Sequence, residues 1–235
     1  MGRYQRNGTC INPQETELLH SKKICVVGCG GLGGYLIEML SRAGVGHLTT
    51  IDADVFEPSN LNRQLLSNDS NLGSPKAEEA VRRIGMVNPQ VEVIPRVCRV
   101  TDENVDDLLA GHDLVMDAVD SISTRLILED SCERLGIPLV HGAIGGWYGQ
   151  VSVVYPGDGT MHQLYVGAEE RGAEAILGTP SFTPAAVAAA QVGEAIKVLL
   201  RKGEVLRRQL LYIDLLEHNY QVLPLNGQAN KKENA

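Results

Sequence analysis

A glycine-rich loop, Gly28-Cys29-Gly30-Gly31-Leu32-Gly33, follows the apolar run Ile24-Cys25-Val26-Val27. After it come Asp52, the run Asn60-Leu61-Asn62-Arg63-Gln64, then Lys76 and Asp120. An apolar strand, a glycine turn and a helix aim backbone N–H groups and a helix N-terminus at phosphate. Gly28, Gly30 and Gly33 fit the G-x-G-x-x-G spacing. The first glycine permits the tight turn, the second a close approach to phosphate, and the third close helix–strand packing. Asp52 ends a second apolar strand, His47-Leu48-Thr49-Thr50-Ile51. An acid roughly 20 residues past the loop is placed for ribose hydroxyls. Taken alone, this fingerprint points to NAD.

The cations and Asp120 point elsewhere. Lys76 falls in the first turn of an expected helix, where the macrodipole disfavours a cation and a bound phosphate reverses that penalty. A solvated surface lysine is the competing reading. Arg63 stands in a polar loop with two asparagines and a glutamine, suited either to phosphate or to bracing the loop. Asp120 follows a strand and precedes a helix, as an N-cap or as a magnesium ligand. Arginine, lysine and a metal-binding carboxylate around a phosphate-cradling loop suit ATP chemistry. Hydride transfer has no leaving phosphate to neutralise.

The elements that position these residues alternate. A helix runs through Tyr35–Leu40 to Gly44, and Ser74-Pro75 opens a helix from Lys76 to about Met86. Strands are expected at Val91–Pro95, Asp113–Asp117 and Pro138–His141, with helices at Thr101–Leu109 and Ser121–Leu135. The alternation predicts a Rossmann-like, doubly wound, mostly parallel α/β sheet. Later segments, Gly149–Tyr155, Gln163–Tyr165, Leu210–Asp214 and Tyr220–Leu223, read as strands without intervening helices, extending the sheet by antiparallel pairing. Gly167–Ser181 reads as a long loop, and Thr183-Pro184 opens an alanine-rich helix ending at Arg201-Lys202-Gly203. Residues 1–225 are expected to form one domain. Residues 1–22 are its N-terminal arm, with a short helix near Gln14–Leu19, and residues 226–235 a polar, frayed tail.

Composition bounds the function. The chain has 235 residues, 43% hydrophobic, enough for one large core. A net charge of −8 disfavours a phosphate-tracking nucleic-acid surface. No run approaches a membrane span of about 20 apolar residues, and the N-terminus lacks an apolar signal core, so a cytoplasmic protein is expected. The five cysteines, Cys10, Cys25, Cys29, Cys98 and Cys132, include no C-x-x-C pair. Neither disulfides nor a four-cysteine zinc site is expected.

The motifs Arg3-Tyr4-Gln5-Arg6, the glycine loop, Asp52-Ala53-Asp54, Asn60–Gln64, Gly73-Ser74-Pro75-Lys76 and Asp117-Ala118-Val119-Asp120 occur in an order that resembles the ThiF/MoeB/HesA family. These are bacterial relatives of ubiquitin-activating enzymes, and the resemblance runs from about Arg3 to Leu225. It implies an ATP- and Mg²⁺-dependent adenylyltransferase acting on the C-terminal glycine of a ubiquitin-like sulfur-carrier protein that ends in Gly-Gly. It also implies that Gly28, Gly30, Gly31 and Gly33 line the nucleotide, with Asp54 nearby, and that Asp52 holds the ribose. Asn60, Arg63 and Lys76 would contact phosphates beside Gln64, and Asp120 would hold magnesium. Arg6 would reach into a partner subunit's site, so a homodimer is expected.

The chain departs from part of the family. It lacks the zinc cysteines, and the stretch 167–181 lacks the cysteine that some members carry there. The expectation is an enzyme that stops at the adenylate, with sulfur delivered by another protein. The compact zinc-free form tilts the reading toward thiamine-type sulfur transfer. Cys29 is expected to pack rather than react. The glycine-rich stretch His141–Tyr148 is read either as a sheet-edge channel for a Gly-Gly tail or as a turn with Trp147 packed on the core. The competing functions are an NAD-dependent oxidoreductase, a relative that adenylates a carboxylate on tRNA, and a binding module that keeps only the fold.

Overall fold

The computed structural model describes residues 2–168 and 174–225. The arm carries α1 (Pro13–His20), started by a capping box in which the Asn12 side chain accepts from Glu15 N and the Glu15 carboxylate from Asn12 N. The chain then alternates through β1 (Lys23–Val27), α2 (Gly31–Ala43), β2 (His47–Ile51), α3 (Lys76–Val87), β3 (Glu92–Arg96), α4 (Val105–Leu109), β4 (Leu114–Asp117), α5 (Ile122–Leu135) and β5 (Leu139–Gly145). Next come β6 (Tyr148–Val154), α6 (Thr160–Leu164), α7 (Glu174–Leu177), α8 (Phe182–Leu200), β7 (Gln209–Asp214) and β8 (Asn219–Pro224).

These strands form one sheet in the order β3-β2-β1-β4-β5-β6-β7-β8, parallel through β5 and antiparallel beyond it. The expected fold class holds. The strands β1 and β4 are almost continuously apolar because helices cover both faces. Ile24 and Val26 join the core under α2 and α8, whereas Cys25 and Val27 face the core of α4 and α5. The chain leaves β1 for β2 on one side, and β4 pairs on the other. The carboxyl ends of β1 and β4 therefore flank the switch point at which open α/β sheets bind ligands.

Several boundaries differ from expectation. Gln163–Tyr165 is not a strand: Gln163 and Leu164 end α6 and Tyr165 is its C-cap. The buried Glu129 carboxylate accepts from Met161 N and His162 N and so fixes that helix start from α5, a tertiary cap invisible in local sequence. The stretch 167–181 is not wholly loop, because it contains α7. Pro75 holds the cap position of α3 and makes no side-chain cap. The helix expected from Thr101 starts at Val105, with Asn104 before it. The His141–Tyr148 stretch is no sheet edge, since β5 lies between β4 and β6 and Gly146, at φ 56°, turns the hairpin. Trp147 is exposed there and packs its ring on Phe182 at 4.5 Å between centroids. Residues 226–235, expected to fray, lie outside the described residues.

One helix, α8, is long and apolar enough by length and composition to cross a membrane, contrary to the expectation that no run would be. It packs in the core instead. It buries Gln191, whose Nε2 donates to Asp117 O at 2.9 Å, and Glu194, whose carboxylate accepts from Leu206 N at 2.8 Å.

Candidate active site

The carboxyl end of β1 delivers the glycine turn. Gly28 has φ 93°, and a Cβ there would meet Ala118 O at 2.5 Å. A Cβ on Gly33 would lie 1.8 Å from Gly28 O, so helix and strand touch backbone to backbone. Gly30 stands at the N-cap of α2 and offers no side-chain cap. The first N–H groups of α2 are thus free of a capping side chain, beside a cavity of about 830 Å³. Gly28, Gly30 and Gly31 line that cavity; Gly33 braces the turn from behind.

Asp52 follows β2 and is largely enclosed. Burial pushes its carboxyl up, against two hydrogen bonds that favour the charge, from Cys29 N at 2.7 Å and Asp54 N at 2.8 Å. The same carboxylate therefore fastens the second strand to the glycine turn. Lys76 opens α3 as expected. Its side chain is only 8% exposed, and Nζ lies 3.1 Å from Asp54 Oδ2. Cys29 is fully buried with its thiol pushed well up, first by burial and then by Asp52, which leaves it a packing residue.

Arg63 and Gln64 reach the cavity from a short helical turn. Arg63 Nη1 donates to Ser59 O at 2.8 Å and Asn62 Oδ1 at 2.9 Å. Gln64 is buried with Oε1 lacking a hydrogen-bond partner among the described residues. Asn60 does not line the cavity. Its Oδ1 accepts from Glu57 N at 3.0 Å, and its carbonyl accepts from Arg63 N and Gln64 N. It shapes the turn that carries the two side chains that do. Arg6 lies exposed in a 3-10 turn, Gln5–Asn7, outside the cavity of its own chain.

Asp120 is exposed at the cavity, and Ser121 rather than Asp120 caps α5, accepting from Thr124 N at 3.2 Å. Beneath it lies a buried polar group that the sequence reading did not assemble. Asp117 Oδ2 and His141 Nδ1 are 2.6 Å apart, both residues fully enclosed. Burial raises the Asp117 carboxyl, but the Arg125 charge and the hydrogen bond from His141 outweigh it and hold it below the usual range. Burial pushes the His141 imidazole down against its bond to Asp117. A neutral ring with Nδ1–H donating to Asp117 leaves Nε2 to accept from Gln150 and Tyr165, at 3.2 and 3.1 Å. The signal was present: β4 pairs with β5 so that Met116 faces Val140, which sets Asp117 beside His141.

A doubly wound sheet that gathers an uncapped helix N-terminus, an enclosed carboxylate and two cationic side chains around one switch-point cavity defines a nucleotide-binding α/β protein. The chain belongs to the ThiF family, which matches residues 4–235. It is 40% identical over 217 residues to a protein of Haloferax volcanii named SAMP-activating enzyme E1, covering 91% of this chain and 80% of that one. It is 38% identical over 224 residues to the sulfur carrier protein adenylyltransferase of Thermus thermophilus, covering 91% and 82%. Its fold superposes on Escherichia coli MccB, solved with AMPCPP and MccA, with a TM-score of 0.82 at 20% identity, covering 96% of this chain and 72% of MccB.

Proposed function

We propose that this chain is an adenylyltransferase that transfers AMP from ATP to the C-terminal glycine carboxylate of a ubiquitin-like sulfur carrier ending in Gly-Gly. The observation that carries the reading is the convergence of Arg63, Lys76, the uncapped α2 N-terminus and Asp52 on one cavity. The names of the Haloferax and Thermus relatives support the carrier as the acceptor.

The carrier carboxylate is already a nucleophile at neutral pH, so no strong base is required. One of its oxygens attacks the α-phosphorus of ATP, the bond to the β-phosphate bridging oxygen breaks, and pyrophosphate departs with that electron pair. The product is an acyl adenylate. The barrier is the approach of one anion to another. Lys76, released from Asp54 when phosphate enters, and Arg63 offset that repulsion and steady the leaving pyrophosphate. The α2 N-terminus holds phosphate through backbone N–H groups, and Asp52 orients the ribose.

The donor set fits a magnesium ion: Asp120 is an exposed carboxylate on the same cavity as the phosphate-binding groups. When bound, the ion neutralises phosphate oxygens. Arg6 enters a partner's cavity in a homodimer of a cytoplasmic enzyme. With no cysteine in 167–181, the adenylate is passed to a sulfur source on a separate protein.

Carrier-dependent exchange of labelled pyrophosphate into ATP is the test. Exchange that appears with a Gly-Gly carrier and vanishes when the terminal glycine is removed supports the reading. ATP binding with no exchange for any such carrier overturns it.

A further inference from the structure

Val119, the residue before Asp120, has both backbone polar groups held by buried side chains. Its N–H donates to Asp117 Oδ1 at 3.1 Å, and its carbonyl accepts from Arg125 Nη2. Arg125 continues to Tyr165: Nη1 donates to the phenol oxygen at 2.5 Å, and the guanidinium lies over the ring, 5.4 Å from its centroid. The Tyr165 hydroxyl reaches His141 Nε2 at 3.1 Å, and His141 Nδ1 returns to Asp117 at 2.6 Å. The hydrogen bonds therefore close a ring, Asp117–Val119–Arg125–Tyr165–His141–Asp117. Gln150 braces it from β6 by donating to Tyr165 at 2.9 Å.

Such a ring is demanding. A buried polar network with one member missing is worse than an apolar core. It is placed under the turn whose next residue is the exposed carboxylate, and that turn also packs on the glycine loop, where a Cβ on Gly28 would meet Ala118 O at 2.5 Å. Groups that orient a metal-binding carboxylate from behind govern affinity, because a ligand fixed beforehand loses little freedom on binding.

We propose that Arg125, His141 and Tyr165 are positioning residues for Asp120, and that their ring sets how strongly magnesium tightens the nucleotide. The proposal rests on the reading of Asp120 as the magnesium carboxylate.

The test uses the full chain with ATP and magnesium chloride, comparing wild type, Tyr165→Phe, Arg125→Lys and Asp120→Asn. ATP affinity is measured with and without magnesium, and amide hydrogen exchange is followed in the peptide spanning 117–122. In Tyr165→Phe, which removes a single hydroxyl, the tightening of ATP by magnesium falls about tenfold. Metal-free ATP affinity is unchanged, and the 117–122 peptide exchanges faster. Arg125→Lys shows the same pattern, and Asp120→Asn loses the tightening altogether. If Asp120→Asn loses the tightening while Tyr165→Phe and Arg125→Lys keep it, or if exchange at 117–122 matches wild type, the positioning role is overturned and the magnesium reading stands. If Asp120→Asn keeps the tightening, both are overturned.

Discussion

The Lys76 ammonium lies 3.1 Å from the Asp54 carboxylate, in the first turn of α3, where the positive end of the helix dipole opposes a cation. The placement does little for stability and suits an incoming phosphate. Lys76→Met should therefore leave stability within about 1 kcal/mol of wild type, since the dipole penalty and an ion pair to an exposed carboxylate are each of that size. Carrier-dependent pyrophosphate exchange should fall on the order of 10²-fold or more. Arg63→Ala should behave alike, because it gives up only local bonds to Ser59 and Asn62. Exchange near the wild-type rate in either variant would remove that side chain from the mechanism.

Three glycines in one loop should respond differently to the same methyl group. Gly33→Ala drives its Cβ into Gly28 O, and Gly28→Ala adds a left-handed φ to a clash with Ala118 O. Each should cost about 3 kcal/mol or more and abolish ATP binding. At Gly31 the nearest atom to a new Cβ is Pro184 Cβ at 3.8 Å, an ordinary contact, and the residue is already helical. Gly31→Ala should match or exceed wild-type stability by up to about 1 kcal/mol. Urea unfolding of the three variants decides this; equal losses at all three sites would refute the backbone-contact explanation.

What the sequence made legible here is what short-range chemistry controls. The glycine spacing, Asp52 and the position of Lys76 follow from strand–turn–helix geometry, and the cavity gathers Arg63, Gln64 and Asp120 with them. What it hid depends on groups far apart along the chain. The helix α6 starts where Glu129, some thirty positions earlier, receives its first N–H groups. The ring beneath Asp120 draws on four separate elements. The resemblance implied Asn60 as a phosphate contact, but its side chain is held by Glu57 N and does not line the cavity.

Arg6 bears on the assembly. It stands on an exposed turn outside its own cavity, so the proposed phosphate role requires a second subunit. Arg6→Ala and Lys76→Ala homodimers should both be inactive in exchange. Mixing them through reversible dissociation should restore about a quarter of the wild-type rate, because half the dimers then hold one intact site of two. If the mixture stays inactive although subunits demonstrably exchange, Arg6 does not act across an interface.

The final prediction concerns pH and His141. Its folded-state pKa is depressed from the ordinary 6.5, first by burial, against the hydrogen bond and charge of Asp117. The unfolded chain thus takes up a proton that the folded chain refuses. The stability linked to this group is complete above about pH 6.5 and declines as the pH falls from there toward the folded value. The depressed His112 acts in the same direction and the raised His162 in the opposite one, but both are common to wild type and a His141→Gln variant and cancel on subtraction. Asp117 titrates below the carboxylate range and outside this interval. His141→Gln should therefore be less stable at pH 8, by about 1–3 kcal/mol for the disturbed buried bonds, and the gap should narrow steadily from pH 7 to pH 5. A gap that widens over that interval would mean that the folded protein holds His141 protonated, with both ring nitrogens donating, and the direction of the Tyr165–His141 bond would have to be reversed.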